Sequence, residues 1–195
     1  PRKHLLVAIG VAVGSWLSAY FILTTNAFMQ HPVGYAVNPD GSLRLADVGA
    51  FLLNPWAIAQ FAHNQAAAMV TGSFAVAALG AFYCLSNKHT EQARLYLRSG
   101  TAVGLAACIL VAFPTADQQA KLVARHQEVA LAAMEGRFES GPMAPITLIG
   151  QPNVAARRLD NPIHLPGALS FLAYGTFHSN VRRLNDFPES AWPRN

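Results

Sequence analysis

A long apolar run, PWAIAQFAHNQAAAMVTGSFAVAALGAFYCLS from Pro55 to Ser86, lies within a wider stretch that has no Asp, Glu, Lys or Arg between Asp47 and Lys88. Uncharged apolar runs of that length predict a membrane-spanning helix. Asn54 and Pro55 mark its start, the first as a capping residue and the second as a proline whose missing N–H costs nothing in the first turn. At 1.5 Å per residue the segment reaches roughly 48 Å against a hydrocarbon core of about 30 Å, so part of it must tilt or project into the interface.

Two further runs read the same way. A first span is predicted over about 4–28, where Gly10, Gly14 and Ser18 recur every four residues as a small-residue face for another helix. A third is predicted over about 94–114, with Gly100, Gly104 and Cys108 at the same spacing. The connection from Met29 to Asn54 is dense in turn-formers (Pro32, Gly34, Asn38, Pro39, Asp40, Gly41) and carries a short apolar piece, Val48 to Leu53, suited to the interface. Beyond the third span, Asp117 to Glu139 reads as a helix with Glu128, Glu135 and Glu139 on one face and Leu131, Met134 and Phe138 on another. The rest is proline-rich and is expected to be irregular. The expected fold is an all-α membrane protein: a three-span region over 1–114 and a long extracytoplasmic loop over 115–195, folded over rather than forming an independent domain, the whole being part of a larger multi-span helical bundle.

Composition agrees with a membrane protein. Of 195 residues, 52% are hydrophobic and only 12% charged, where about 25% charged is usual for soluble domains. The formal charge of +4 does not point to nucleic acid, because the basic residues are scattered and no aromatic-basic array accompanies them. Arg2, Lys3, Lys88, Arg94 and Arg98 fall on one side of the predicted topology, so the positive-inside bias makes residues 1–3 and 87–98 cytoplasmic. The first connection and the tail then lie outside, and His63, near the start of the second span, lies toward that outer face. Cys84 and Cys108 lack metal-type spacing and indicate no disulfide framework. No Gly-rich phosphate loop, Ser-His-Asp arrangement or HExxH is present. The abrupt start at Pro-Arg-Lys and the close at PESAWPRN are those expected of a fragment.

His63 is the one titratable side chain of ordinary acid–base range in the central run. Such a ring inside a membrane helix marks a site by default. Ala59 precedes it by one turn, and Ala66, Ala67 and Val70 follow, which leaves a flat surface around the imidazole. Three readings stand on these residues alone: close helix packing with His63 hydrogen-bonded across it, axial ligation of a haem iron, or a proton relay. On the first span, Ser18, Thr25 and Asn26 either support packing or line a hydrated path.

Four strings together resemble subunit I of the cytochrome bd-type quinol oxidases: TTNAFMQHPVGY at 24–35, QFAHNQAAAMVTG at 60–72, HQEVALAAMEGRFES at 126–140 and LNDFPESAWPRN at 184–195. The resemblance covers essentially the whole chain, in order. It implies a multi-pass protein of the bacterial inner membrane that oxidises quinol near the outer face and passes electrons through haems to reduce oxygen to water. It further implies that His63 is the axial ligand of a low-spin haem b, that the tail helps form the quinol site, and that Glu135 takes part in quinol oxidation, with His126 a secondary candidate for proton transfer. Ser18 and Asn26 match polar residues of a proton route. Two positions depart: the family often has a lysine where this chain has Ala130, and often a proline where it has Glu128. The other haem ligands of the family lie outside this window, so a longer subunit of about nine spans, carrying a high-spin haem b and haem d and working with a smaller membrane subunit, is implied. Two readings from other classes are a proton-coupled transporter or channel subunit using His63, Ser18 and Asn26, and a structural subunit that only scaffolds a partner.

Overall fold

The computed structural model describes residues 2–87 and 89–192. Lys88, counted above among the cytoplasmic cations, and Pro1 and 193–195, at the two ends of the chain, lie outside the described residues. Three helical stretches are long and apolar enough to cross a membrane: Arg2–Gln30, Val48–Leu85 and Thr90–His126. The chain divides into two compact units, Pro1–Ala116 and Asp117–Asn195.

The first unit is built on three helices. Helix α1 spans Arg2–Gln30. A small hairpin follows, β1 (Tyr35–Val37) paired antiparallel with β2 (Leu43–Leu45), closed through Asn38, Asp40 and Ser42. The one-turn helix α2 (Val48–Leu52) is capped by Asp47, whose carboxylate accepts from the Ala50 amide at 2.9 Å. Helix α3 runs Pro55–Leu85, with Asn54 as its cap accepting from the Trp56 amide at 3.0 Å. Helix α4 is Thr90–Leu110, which begins earlier and ends earlier than the run expected over 94–114. Its end is an irregular turn over Val111–Ala116, where Phe113 is extended and the Phe113–Pro114 peptide is cis.

Helices α3 and α4 pack backbone to backbone. A Cβ placed on Gly80 would sit 2.5 Å from the Leu97 nitrogen, and one on Gly100 would sit 2.6 Å from both the Ala77 nitrogen and the Ser73 oxygen. Only glycine permits that approach. The small-residue face of α4 runs through Gly100, Gly104 and Ala107, all buried, while Cys108 is exposed. The spacing of four is thus corrected to three at its last step, as a 3.6-residue turn requires. Gly10 and Gly14 on α1 have nothing within contact of their Cβ positions.

The second unit departs from the all-α expectation. The stretch expected as one helix from Asp117 to Glu139 is two, α5 (Asp117–His126) and α6 (Glu128–Met134), separated by Gln127 at φ −134°, ψ 48°. Gly136, at φ +61°, ends α6 in the left-handed conformation that favours glycine. Glu139 therefore lies beyond the helix and shares no helical face with Glu128. The proline-rich stretch expected to be irregular contains an antiparallel hairpin, β3 (Ile146–Asn153) against β4 (Arg158–Leu165), paired from Ile146↔Leu165 to Asn153↔Arg158 with register shifts on either side of Ile149. A two-stranded sheet tolerates Pro152 and Pro162 because both strands are edges. Helix α7 (Ala168–Tyr174) and two short 3₁₀ turns, Leu184–Asp186 and Glu189–Ala191, complete it. Among the described residues, two small apolar clusters help hold the unit, one of Ala132, Phe138 and Leu184 and the other of Ala144, Leu169 and Val181.

Candidate functional site

His63 is half-buried on α3. Its Nδ1 lies 3.1 Å from the Thr115 hydroxyl, which the irregular turn after α4 brings to the ring. The Thr115 hydroxyl donates its single hydrogen to the backbone carbonyls of Leu110 at 2.7 Å and Val111 at 3.1 Å. Its oxygen therefore accepts from the ring, and Nδ1 is the protonated nitrogen. Nε2 then carries the lone pair and has no hydrogen-bond partner among the described residues.

An imidazole fixed at Nδ1 by a protein acceptor and open at Nε2 has the arrangement of a metal ligand oriented by its outer partner. Ala59, Ala66 and Ala67 add no bulk beyond a methyl group around it, Ala66 being covered by protein and Ala59 and Ala67 partly open, so the open part of this face fits a planar group approaching α3. Among the described residues no group of three or more His, Cys, Asp or Glu side chains is gathered, so His63 stands among them as one candidate ligand rather than a member of a cluster.

Helix α3 is tied to α1 by polar and aromatic contacts, chiefly through Phe61 and Gln65, two residues either side of His63 and so on the other side of the helix. Trp16 donates through Nε1 to Gln65 at 2.6 Å, and its ring meets Phe61 at 5.3 Å. Tyr20 meets Phe61 edge-on and donates to the Leu52 carbonyl. Asn26 donates to Gln60 at 3.2 Å, and Gln60 in turn to Gln30 at 3.3 Å. Asn26 thus reaches the residue three positions before His63. Ser18 is exposed and shares no hydrogen bond with this chain of amides among the described residues. Thr25 turns its hydroxyl back to the Phe21 carbonyl.

In the second unit the expected residues separate into two places. His126 and Ala130 line an open cleft of about 600 Å³ together with Arg125, Glu128 and Phe187, a volume within the range of small-molecule pockets. Glu128 is ion-paired with Arg182 at 2.8 Å. Glu135 is not part of that cleft. It is half-buried at the end of α6, where its Oε2 accepts from the Thr147 amide at 3.1 Å and its carbonyl accepts from the Thr147 hydroxyl at 3.3 Å. A carboxylate freely solvated on a helix face would not make the first of these contacts.

Sequence reasoning missed Thr115, which lies 52 residues from His63, because nothing in a linear pattern announces a contact made through a turn. It also missed Asn54 as an inter-element bracket: the side chain is fully buried and donates to the His31 carbonyl at 3.0 Å while capping α3. The Asn-Pro pair signalled the cap, though not the bracket.

The model of the cytochrome bd terminal oxidase subunit I family matches residues 1–195. The chain is 34% identical over 184 residues to the cytochrome bd ubiquinol oxidase subunit 1 of Bacillus subtilis (strain 168), covering 93% of this chain and 39% of that protein. It is 31% identical over 194 residues to the cytochrome bd-II ubiquinol oxidase subunit 1 of Escherichia coli (strain K12), covering 98% of this chain and 38% of that one. Among solved structures it resembles the bd oxidase from Geobacillus thermodenitrificans, with a TM-score of 0.80 and 32% identity over 98% of this chain and 44% of the other. The chain spans about two fifths of the length of the curated relatives it matches.

Proposed function

Because the chain belongs to the cytochrome bd terminal oxidase subunit I family, we propose that it serves a membrane-bound quinol:oxygen oxidoreductase and that His63 holds the iron of a low-spin haem b through Nε2. The observation that carries this reading is the geometry of the ring, with Nδ1 3.1 Å from a Thr115 hydroxyl that itself contacts the Leu110 carbonyl, and Nε2 without a hydrogen-bond partner among the described residues. When bound, the haem supplies one-electron transfer at iron. What this chain does is fix the imidazole tautomer through Thr115, keep the approach clear with alanines, and hold α3 against α1 through Trp16, Phe61 and Gln65.

The quinol is assigned to the second unit. Quinol oxidation releases two protons, and a carboxylate at hand accepts one and passes it to water before it takes the other. Glu135 suits that task because the Thr147 amide holds one oxygen in place while Oε1 has no partner among the described residues. The open cleft lined by His126 and Ala130 lies apart from Glu135, so His126 would be the proton acceptor for a head group bound in that cleft and Glu135 for one bound at the end of α6. In this reading the tail and the first connection are extracytoplasmic, Asn26 and Ser18 belong to a proton route, and a second membrane subunit, a high-spin haem b and haem d complete the enzyme in the lipid bilayer.

The experiment is to purify the full-length subunit with its partner and record haem absorbance and quinol-dependent oxygen consumption. A pigmented preparation that consumes oxygen with quinol is expected. A colourless one overturns the proposal and favours a transporter or scaffold.

A further inference from the structure

Arg183 is only 1% exposed, yet its Nη1 has no hydrogen-bond partner. Its backbone is firmly set: the amide donates to the Ser140 hydroxyl at 3.0 Å and to the Asp186 carboxylate at 3.1 Å. The side chain lines a cavity of about 120 Å³ with Arg137, Gly141 and Ala144, and Glu139 stands on its exposed rim. Among the described residues neither Arg137 nor Arg183 is ion-paired, the four pairs present all involving other side chains. The Asp186 carboxylate is turned to Ser140 and the backbone. Burial, and then the neighbouring Arg137 charge, pull the Arg183 pKa below its ordinary value, against a smaller opposing effect of Glu135.

A buried guanidinium with an unmet donor beside a second cation lacks an acceptor that carries negative charge. Guanidinium forks match the oxygens of phosphate and carboxylate groups. The volume decides the size of the occupant, since water takes about 30 Å³ in the liquid and whole small-molecule ligands need roughly 300 Å³ or more. A single oxyanion group fits. Arg137 also borders a neighbouring cavity of about 240 Å³ whose Arg157 and Arg158 are already paired with Glu189 and Asp160, which leaves Arg137 as the outer cation without an ion pair among the described residues.

We propose that this cavity is a phosphate-type oxyanion site, with Arg183 as its buried ligand and Arg137 as its outer one, occupied either by free phosphate or by the phosphate of a lipid head group. The site is independent of the haem and quinol assignments.

The test uses the full-length subunit in its complex, delipidated in detergent and freed of phosphate. One arm titrates inorganic phosphate calorimetrically, and the other adds phosphatidylglycerol and reads bound adducts by native mass spectrometry. Arg183→Gln is expected to weaken binding in the responding arm by roughly tenfold or more, Arg183→Lys to weaken it less, and Arg158→Gln to leave it unchanged. Arg137→Gln, at a half-buried position, is expected to weaken it as well and guards against a folding defect at residue 183. A response to phosphate alone assigns the free ion, and a response to phosphatidylglycerol assigns the lipid. Binding in neither arm, or equal binding by the wild type, Arg183→Gln and Arg137→Gln, overturns the proposal.

Discussion

The Thr115 hydroxyl lies 3.1 Å from Nδ1 of His63 and spends its own hydrogen on the Leu110 carbonyl at 2.7 Å. A residue just past the end of one helix therefore sets the tautomer of a ring near the start of another. Replacing it tests that relation. Thr115→Val keeps the shape and removes the acceptor, so affinity for haem at His63 should fall by about 10- to 100-fold, read as lost low-spin absorbance per subunit on dilution or mild detergent challenge. Full retention would show that Thr115 does not orient the ring.

Glu135→Gln should leave haem content intact and slow quinol turnover by about 10² or more. The amide oxygen of glutamine can still accept from the Thr147 N–H that now meets the carboxylate, so the fold is preserved while the proton acceptor is lost. Steady-state oxygen consumption against haem-normalised enzyme measures it. Unchanged turnover would return Glu135 to a structural role at the end of α6.

The close approach of α3 and α4 predicts a graded series. Gly100→Ala places its methyl 2.6 Å from backbone atoms of Ser73 and Ala77, whereas at Gly104 the methyl meets the Phe74 ring at 3.3 Å, a side chain able to turn aside. The first substitution should destabilise by about 1–3 kcal/mol and the second by less. Thermal retention of pigment in the full-length subunit compares them.

Much of the first unit was legible because membrane helices advertise themselves: a stretch without charge between Asp47 and Lys88 leaves no other economical structure, and His63 stands out in it. The second unit was poorly legible for equally physical reasons. Pro152, Pro162 and Gly150 lie inside the strands of its hairpin, and each of them normally argues against a strand. The break between α5 and α6 falls at Gln127, which carries no breaker signal. Arg183 reads in sequence as one of two adjacent surface cations, and only the fold separates the exposed Arg182, lying over the Phe187 ring, from its buried neighbour. Glu135 was placed by resemblance. Its link to Thr147 could not have been, because that contact depends on where β3 begins.

Acid behaviour offers a fourth prediction. The Ser140 hydroxyl, and after it the Arg183 amide, hold the Asp186 carboxyl below its ordinary value of 3.8. A carboxyl depressed on folding contributes stability that is fully present above the unfolded value and is lost as pH falls through the lower folded one. Ser140→Ala removes the largest cause, so the second unit should lose protection from proteolysis at a higher pH than the wild type, by less than about one pH unit given the exposure of Asp186. An unshifted acid midpoint would show that this contact carries no linkage.

The central claim concerns one nitrogen, and its most direct measurement is the reduced-minus-oxidised spectrum of His63→Gly in the full-length subunit, with and without added imidazole. The account predicts that the low-spin haem b signal disappears and returns, at least in part, when free imidazole fills the space left by the ring. A spectrum identical to the wild type without imidazole would contradict it.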